Sequence, residues 1–195
     1  MGHVEAVLFA SAVPVPRETL ARVVGPECRL DTLIADIRDE LRARPYELVA
    51  VAGGWQLRTR TEFVPAIRAA GTVPDEERGG ALTANEQLVL AAIAYLQPVT
   101  RVTLSRVLGK EVSRDVIARL KRLDLLGAGP RSPEPGAPLT YVTTSTFLAR
   151  FGLASLRDLP DTEALEEAGL LGPDSAAEAP SDPFDAMLGL SGEKG

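Results

Sequence analysis

The sequence predicts a mainly α-helical chain with small β-hairpins, an α+β fold that uses one small domain twice. Three observations carry this. PVPRETLARVVG (14–25) and PVTRVTLSRVLG (98–109) match at eight of twelve positions with an offset of 84, the mark of a structural unit repeated along a chain. Each copy follows an apolar helical stretch and precedes an amphipathic one. Each is then followed by a strand-rich segment punctuated by glycine and proline.

In the first copy, a helix is predicted from His3 to Ala12, with Val4, Val7 and Leu8 on one face. Pro14 and Pro16 break it and start a second helix, Arg17 to Val24, stopped by Gly25. Leu30, Leu33, Ile34, Ile37 and Leu41 recur at helical spacing and mark a core face, with Asp31, Asp36, Arg38, Asp39, Glu40, Arg42 and Arg44 on the remainder. After Pro45, YELVAVA and WQLRTR flank Gly53-Gly54 and read as a hairpin with a glycine turn. Three helices and a hairpin make a winged-helix arrangement, so the prediction is two tandem winged-helix domains. Thr61 is expected to cap a short helix from Glu62 to Ala69.

The polar, Gly-rich stretch 71–82 reads as a linker. Thr83-Ala84-Asn85-Glu86 is a capping box that opens the second copy. Leu88 to Leu96 is apolar on every face and is expected to be central and buried. Thr100 should cap the helix Arg101 to Leu108. Ser113 should cap the helix Arg114 to Leu123, whose Val116, Ile117, Leu120 and Leu123 keep helical register. Leu125–Ala128 and Leu139–Thr143 are the expected wing strands, with Pro130, Pro133, Pro135 and Pro138 forming a tip that cannot extend the ladder. TSTFLARFG closes the unit as a helix ended by Gly152, and LASLRDLP reads as a docking segment; Phe147 and Phe151, four apart, are read as core. The domains are therefore 1–70 and 83–160. Residues 161–195 form an acidic tail of composition that predicts disorder, with PFDAML as a candidate docking motif within it.

Charge is distributed unevenly. The net −6 divides into zero over 1–70, −2 over 71–82, +4 over 83–160 and −8 over 161–195. No stretch of eighteen apolar residues marks a membrane span, and MGHVEAVLFASA reads as a folded helix rather than a signal peptide. A cytoplasmic protein is the expectation. One cysteine (Cys28) and one histidine (His3) are too few for a disulfide framework or a His/Cys zinc site. Phosphate-cradling loops, HExxH, CxxC and GxSxG are absent, and Asp75-Glu76-Glu77 lie together in the linker, where no rigid catalytic pair is expected. The expectation is a protein without catalysis, cofactor or metal. Two function classes stay open, protein binding and DNA binding. For DNA, the candidate contacts are Arg58 and Arg60 in the first wing and Arg114, Arg119, Lys121 and Arg122 in the second copy's third helix. The modest basic excess places protein binding ahead.

Three stretches resemble the segregation and condensation protein B family. They are VEAVLFASAVPVPRETLARVVG, GGWQLRTRTEFVPAIR, and LTANEQLVLAAIAYLQPVTRVTLSRVLG followed by LTYVTTSTFLARFGLASLRDLP, collinear over about residues 3–160. The chain departs from the family pattern at Leu108-Gly109-Lys110, Gly129-Pro130 and Pro135-Gly136-Ala137-Pro138, two of these departures losing an arginine. The resemblance implies a non-catalytic adaptor in chromosome condensation, associated with the nucleoid. It implies a homodimer through the first domain and binding of the kleisin subunit (ScpA), and through it SMC, by the second. DNA contact would be weak or indirect. Carried over by position, the kleisin-binding candidates are Tyr95, Gln97, Pro98, Val99, Thr100 and Arg101. Each has a bland alternative: Tyr95 as core, Pro98 as a helix breaker, Thr100 as a cap. Arg101 is the cleaner residue to test if its side chain is exposed.

Overall fold

The structure, a computed structural model, describes residues 2–71 and 82–160. The proposed linker falls almost entirely outside these residues, and the tail with its PFDAML stretch does so completely. The chain divides into two compact units, Met1–Glu77 with Leu148–Leu156, and Arg78–Phe147 with Arg157–Gly195. Each is mixed α/β, with helices against a small antiparallel sheet.

In the first unit α1 (Gly2–Ala10) is followed by β1 (Val15–Pro16), α2 (Arg17–Val24) and α3 (Leu30–Glu40), the last extended by a 3₁₀ turn, Leu41–Ala43. Strands β2 (Tyr46–Val51) and β3 (Gly54–Thr59) form the hairpin, and a 3₁₀ turn, Thr61–Phe63, leads into α4 (Val64–Ala70). The sheet order is β1-β3-β2. Val4, Leu8, Val15, Leu20, Leu30, Ile34, Ile37, Leu41 and Leu48 form the core, with Val7 and Leu33 packed at its edge. At about 1.5–3 kcal/mol per fully buried large aliphatic side chain, this stripe holds the helices to the sheet.

The hairpin turn differs from the expectation. Its two corner residues are Ala52 and Gly53, at φ 50° and 73°, a pair of left-handed residues whose twist matches that of the strands. Gly54 instead stands inside β3, opposite Pro16, and a Cβ there would lie 2.6 Å from the Val15 carbonyl oxygen. One glycine serves the turn and the other lets β1 approach. Thr61 does not cap the next helix; it lies in the 3₁₀ turn, which has no side-chain cap. The stretch Leu148–Leu156 belongs to this unit: the Ala52 and Gly53 amides donate to the carbonyls of Leu153 and Ala154 at 2.8 and 3.1 Å.

The second unit repeats the order with α5 (Ala84–Leu96), β4 (Val99–Thr100), α6 (Arg101–Val107), α7 (Arg114–Arg122), β5 (Leu126–Arg131) and β6 (Leu139–Thr143), in sheet order β4-β6-β5. Helix α8 (Ser145–Arg150) carries the fully buried Phe147 and is followed by a 3₁₀ turn, Leu156–Asp158. The two repeated segments fold alike: each is a two-residue strand running into a helix, followed by a glycine at positive φ (Gly25 79°, Gly109 63°). Val15 and Val99, equivalent in the repeat, face Trp55 and Tyr141 across their sheets.

All three predicted caps of the second unit form. The Thr83–Glu86 box is closed in both directions, and Thr100 and Ser113 accept from the amides of Thr103 and Val116. Two expectations need correction. Helix α5 is buried on one side only: Val89, Leu90 and Ile93 are inaccessible, whereas Leu88 and Leu96 are 36% and 43% exposed. The second wing does extend its ladder past a proline. Strand β5 runs through Pro130 to Arg131, which pairs with Leu139 after a bulge following Ala128. The bulge absorbs the missing donor, and the Thr140 hydroxyl takes the Pro130 carbonyl.

Candidate functional site

The corner between α5 and α6 brings Tyr95 through Arg101 together, and most of their polar atoms are already engaged. The Tyr95 hydroxyl donates to the Pro160 carbonyl at 2.7 Å. Gln97 ends α5: its Nε2 donates to the Ala94 carbonyl at 3.0 Å, and its Oε1 accepts the Thr143 amide at 2.7 Å, tying the helix end to β6. Val99 and Thr100 are buried in β4, the Thr100 hydroxyl capping α6. Arg101 is not a freely exposed probe. Its NH1 donates to the Val112 carbonyl at 3.0 Å and lies 3.6 Å from Glu111, with the side chain only 29% exposed. Ser105 accepts the Val112 amide at 3.0 Å, so Arg101 and Ser105 hold both polar groups of Val112 and set the loop into α7.

Pro98, joined to Gln97 by a cis peptide bond, is the exposed member of the six. The elements that meet at this corner also carry exposed apolar side chains that the motif did not point to: Leu96 in α5 at 43% exposure, Val102 in α6 at 60% and, in β6, Leu139 at 49%. The ladder Thr100↔Thr140 puts Leu139 beside the start of α6. Sequence alone gave no sign of this strip, because apolar residues crowd the whole stretch and the period does not separate inside from outside.

The arginines considered for DNA divide into two groups. Arg58 donates to Gln56 Oε1 at 3.1 Å and to the Ala149 carbonyl, and burial pushes its pKa below the ordinary arginine value. Arg60 holds the carbonyls of Arg44 and Leu41 and the carboxylate of Glu47 at 3.0–3.2 Å. Arg119 pairs with the buried Glu86 at 2.8 Å. These three serve protein acceptors. Arg114, Lys121 and Arg122 project from α7 into solvent.

The repeat partner of Arg101 is Arg17, which makes a two-pronged bond to Asp31 at 2.5 and 2.7 Å. That hydrogen bond holds the Asp31 carboxyl below the usual carboxylate range and raises the Arg17 pKa. In both units the first-turn arginine of the second helix thus anchors the approach to the third. Among the described residues no group of three or more His, Cys, Asp or Glu side chains is placed to hold a metal ion, and no helix is long and apolar enough to cross a membrane.

Two small units, each with helices over a three-stranded antiparallel sheet and each entered through the same strand-helix-glycine segment, define a tandem mixed α/β protein. The family model described as "Segregation and condensation complex subunit ScpB" matches residues 2–162. Segregation and condensation protein B of Syntrophotalea carbinolica is 39% identical over 168 residues, covering 84% of this chain and 82% of that protein. Segregation and condensation protein B of Bacillus subtilis is 32% identical over 161 residues, covering 80% and 79%. The crystal structure of ScpB from Mycobacterium tuberculosis is similar at 30% identity over 78% of this chain and 94% of that one, with a TM-score of 0.35. The chain belongs to the segregation and condensation protein B family.

Proposed function

We propose that this chain is a non-catalytic adaptor in chromosome segregation and condensation, built from two tandem winged-helix domains. The second domain binds the kleisin subunit and through it engages SMC at the nucleoid, while the first domain pairs two copies of the chain. Family membership supports the process, and the exposed strip Leu96, Pro98, Val102 and Leu139 carries the binding reading. Apolar side chains left in water beside an otherwise closed hydrogen-bond network fit a peptide docking surface better than a phosphate surface. For pairing of copies, Phe9 at 85% and Val13 at 67% exposure offer apolar area on the first unit.

The test is titration of the full chain with kleisin fragments and with duplex DNA at about 50 and 300 mM salt. Apolar docking keeps most of its affinity over that range, whereas phosphate contacts lose theirs steeply through counterion release. Leu96→Glu and Val102→Glu alter exposed positions and should leave the fold intact, which circular dichroism checks. Each should weaken kleisin binding about tenfold or more, since a carboxylate buried against an apolar partner costs well over the ~1.4 kcal/mol of one decade. DNA binding through Arg114, Lys121 and Arg122 is the second reading, favoured by their exposure on α7. Salt-resistant, sequence-selective DNA binding with no kleisin affinity would establish it and overturn the first.

A further inference from the structure

Helices α3 and α7 hold the same position in the repeated order, and their charges are reversed. Within Leu30–Glu40 four carboxylates (Asp31, Asp36, Asp39, Glu40) stand with Arg38; within Arg114–Arg122 four cations (Arg114, Arg119, Lys121, Arg122) stand with Asp115. Aligning the two helices on their buried residues sets Ile34 against Ile117 and Ile37 against Leu120. The same alignment sets Asp31 against Arg114, Ala35 against Ala118, Arg38 against Lys121 and Asp39 against Arg122, all of them exposed.

In the first unit the charges at these positions are spent within the unit. Asp31 holds Arg17 at 2.5 and 2.7 Å. Arg38 donates to the Leu48 carbonyl at 3.1 Å and lies 4.8 Å over the Trp55 ring. Asp39 pairs with Arg42 at 2.8 Å. In the second unit Arg119 is paired with Glu86 of α5. The side chains of Arg114, Lys121 and Arg122 make no hydrogen bond or ion pair among the described residues.

The surroundings select the ligand. Glu111, Asp115 and Asp124 alternate along the chain with Lys110, Arg114 and the Lys121-Arg122 pair, so the field of this face is mixed. A duplex presents an unbroken row of phosphates, which those acids would repel. The hairpin that follows α7 adds nothing for phosphates. Residues 132–143 contain Glu134 and no cation, and the Arg131 guanidinium is turned back onto the Ala137 carbonyl at 3.1 Å. A peptide places its carboxylates singly and can meet the cations without facing the acids. Between Arg114 and Lys121 the helix rises about 10 Å, a span that about three residues of extended chain cover. Ala118, exposed between them, offers only a methyl group and leaves room for the chain to cross.

We propose that the outer face of α7 is a docking site for an acidic polypeptide segment. One carboxylate meets Arg114, and others about three residues further along the segment meet Lys121 and Arg122. The site shares no residue with the exposed strip Leu96, Pro98, Val102 and Leu139, so it stands apart from the binding proposed for that strip. Single exposed ion pairs are weak. The contact needs all three cations on one segment, and it is accordingly electrostatic and sensitive to salt.

The test is titration of the isotope-enriched full chain, observed by amide NMR, with a peptide of about twelve residues repeating two glutamates and an alanine. The controls are the same peptide with glutamine for glutamate, and duplex DNA of about twelve base pairs at equal total charge. At about 50 mM salt the acidic peptide should shift the amides of 114–122 and leave those of 31–40 in place. Its affinity should fall about tenfold or more by about 300 mM, as the screening length drops from above ~10 Å to about 6 Å. Lys121→Gln with Arg122→Gln, and separately Arg114→Gln, should each weaken binding severalfold. All three positions are exposed, and circular dichroism checks that α7 is retained. No shift at low salt, an equal shift with the glutamine peptide, tighter binding of the duplex than of the acidic peptide, or wild-type affinity in both variants would each overturn the proposal. So would an equal shift of the same amides on raising salt alone, since the face would then be held by the chain's own carboxylates.

Discussion

Glu86 is the residue whose loss should cost the second unit most among its buried polar groups. Its side chain is only 7% exposed. Oε2 accepts the Thr83 amide at 2.8 Å, closing the capping box of α5, and Oε1 accepts from Arg119 Nε at 2.8 Å, joining α5 to α7. Glu86→Ala removes both bonds. Loss of a cap costs about 1 kcal/mol. Breaking a fully buried pair costs about 3–5 kcal/mol, but Arg119 is 42% exposed and regains water, so roughly 1–2 kcal/mol is the appropriate share. The expected total is about 2–3 kcal/mol. Glu86→Gln keeps an acceptor for the Thr83 amide while removing the charge, and should cost about half as much.

The assay is urea unfolding of the full chain followed by circular dichroism. Trp55, the sole tryptophan, sits in the first unit and does not report on α5. A double-mutant cycle with Arg119→Met should return a coupling energy of about 1–2 kcal/mol. Two results would refute the reasoning: a loss below about 0.5 kcal/mol for Glu86→Ala, the level of an ordinary surface change, or a coupling energy near zero.

Three further outcomes follow from the first unit. The lowered Asp31 pKa means that its carboxylate contributes stability above the unfolded value of about 3.9 and loses it as pH falls through the folded value. Wild type should therefore exceed Asp31→Asn in unfolding midpoint at pH 7, and the gap should close toward pH 3 in a pH series of melts. Gly54→Ala should destabilise by about 1–3 kcal/mol, because its Cβ would meet the Val15 carbonyl at 2.6 Å; Trp55 fluorescence in urea reads it out. Ala52→Asn should stabilise by about 0.5–1 kcal/mol in the same assay, asparagine tolerating the left-handed φ of 50° better than alanine.

The repeat, the helix periods and the caps were legible in the sequence because each depends on local chemistry. Thr83, Thr100 and Ser113 satisfy amides within three residues, and Leu30, Ile34 and Ile37 bury at helical spacing. What stayed hidden depends on neighbours distant along the chain. Gly53 and Gly54 look interchangeable until β1 is laid against β3, when only Gly54 is seen to lie under Val15. Pro130 argues against a strand until the bulge removes the need for its donor. Of the binding candidates, the side chains the motif names mostly fasten the α5–α6 corner together, and the exposed Leu96, Val102 and Leu139 are not among them.

Arg17 and Arg101 show why a sequence motif and a contact surface separate in this chain. They are equivalent in the repeat, and both spend their guanidinium groups where the third helix begins, on Asp31 in its first turn in one unit and on the Val112 carbonyl just before it in the other. A residue retained in both copies for that purpose cannot by itself tell the proposed binding domain from the proposed pairing domain. The distinguishing residues are those the copies do not share. Phe9 and Val13 are exposed on the first unit, Leu96, Val102 and Leu139 on the second, and the third helices are reversed in charge. Substituting Arg101 should consequently disturb the α6–α7 loop and any surface resting on it together, whereas Val102→Glu should leave stability unchanged within about 0.5 kcal/mol and alter binding alone.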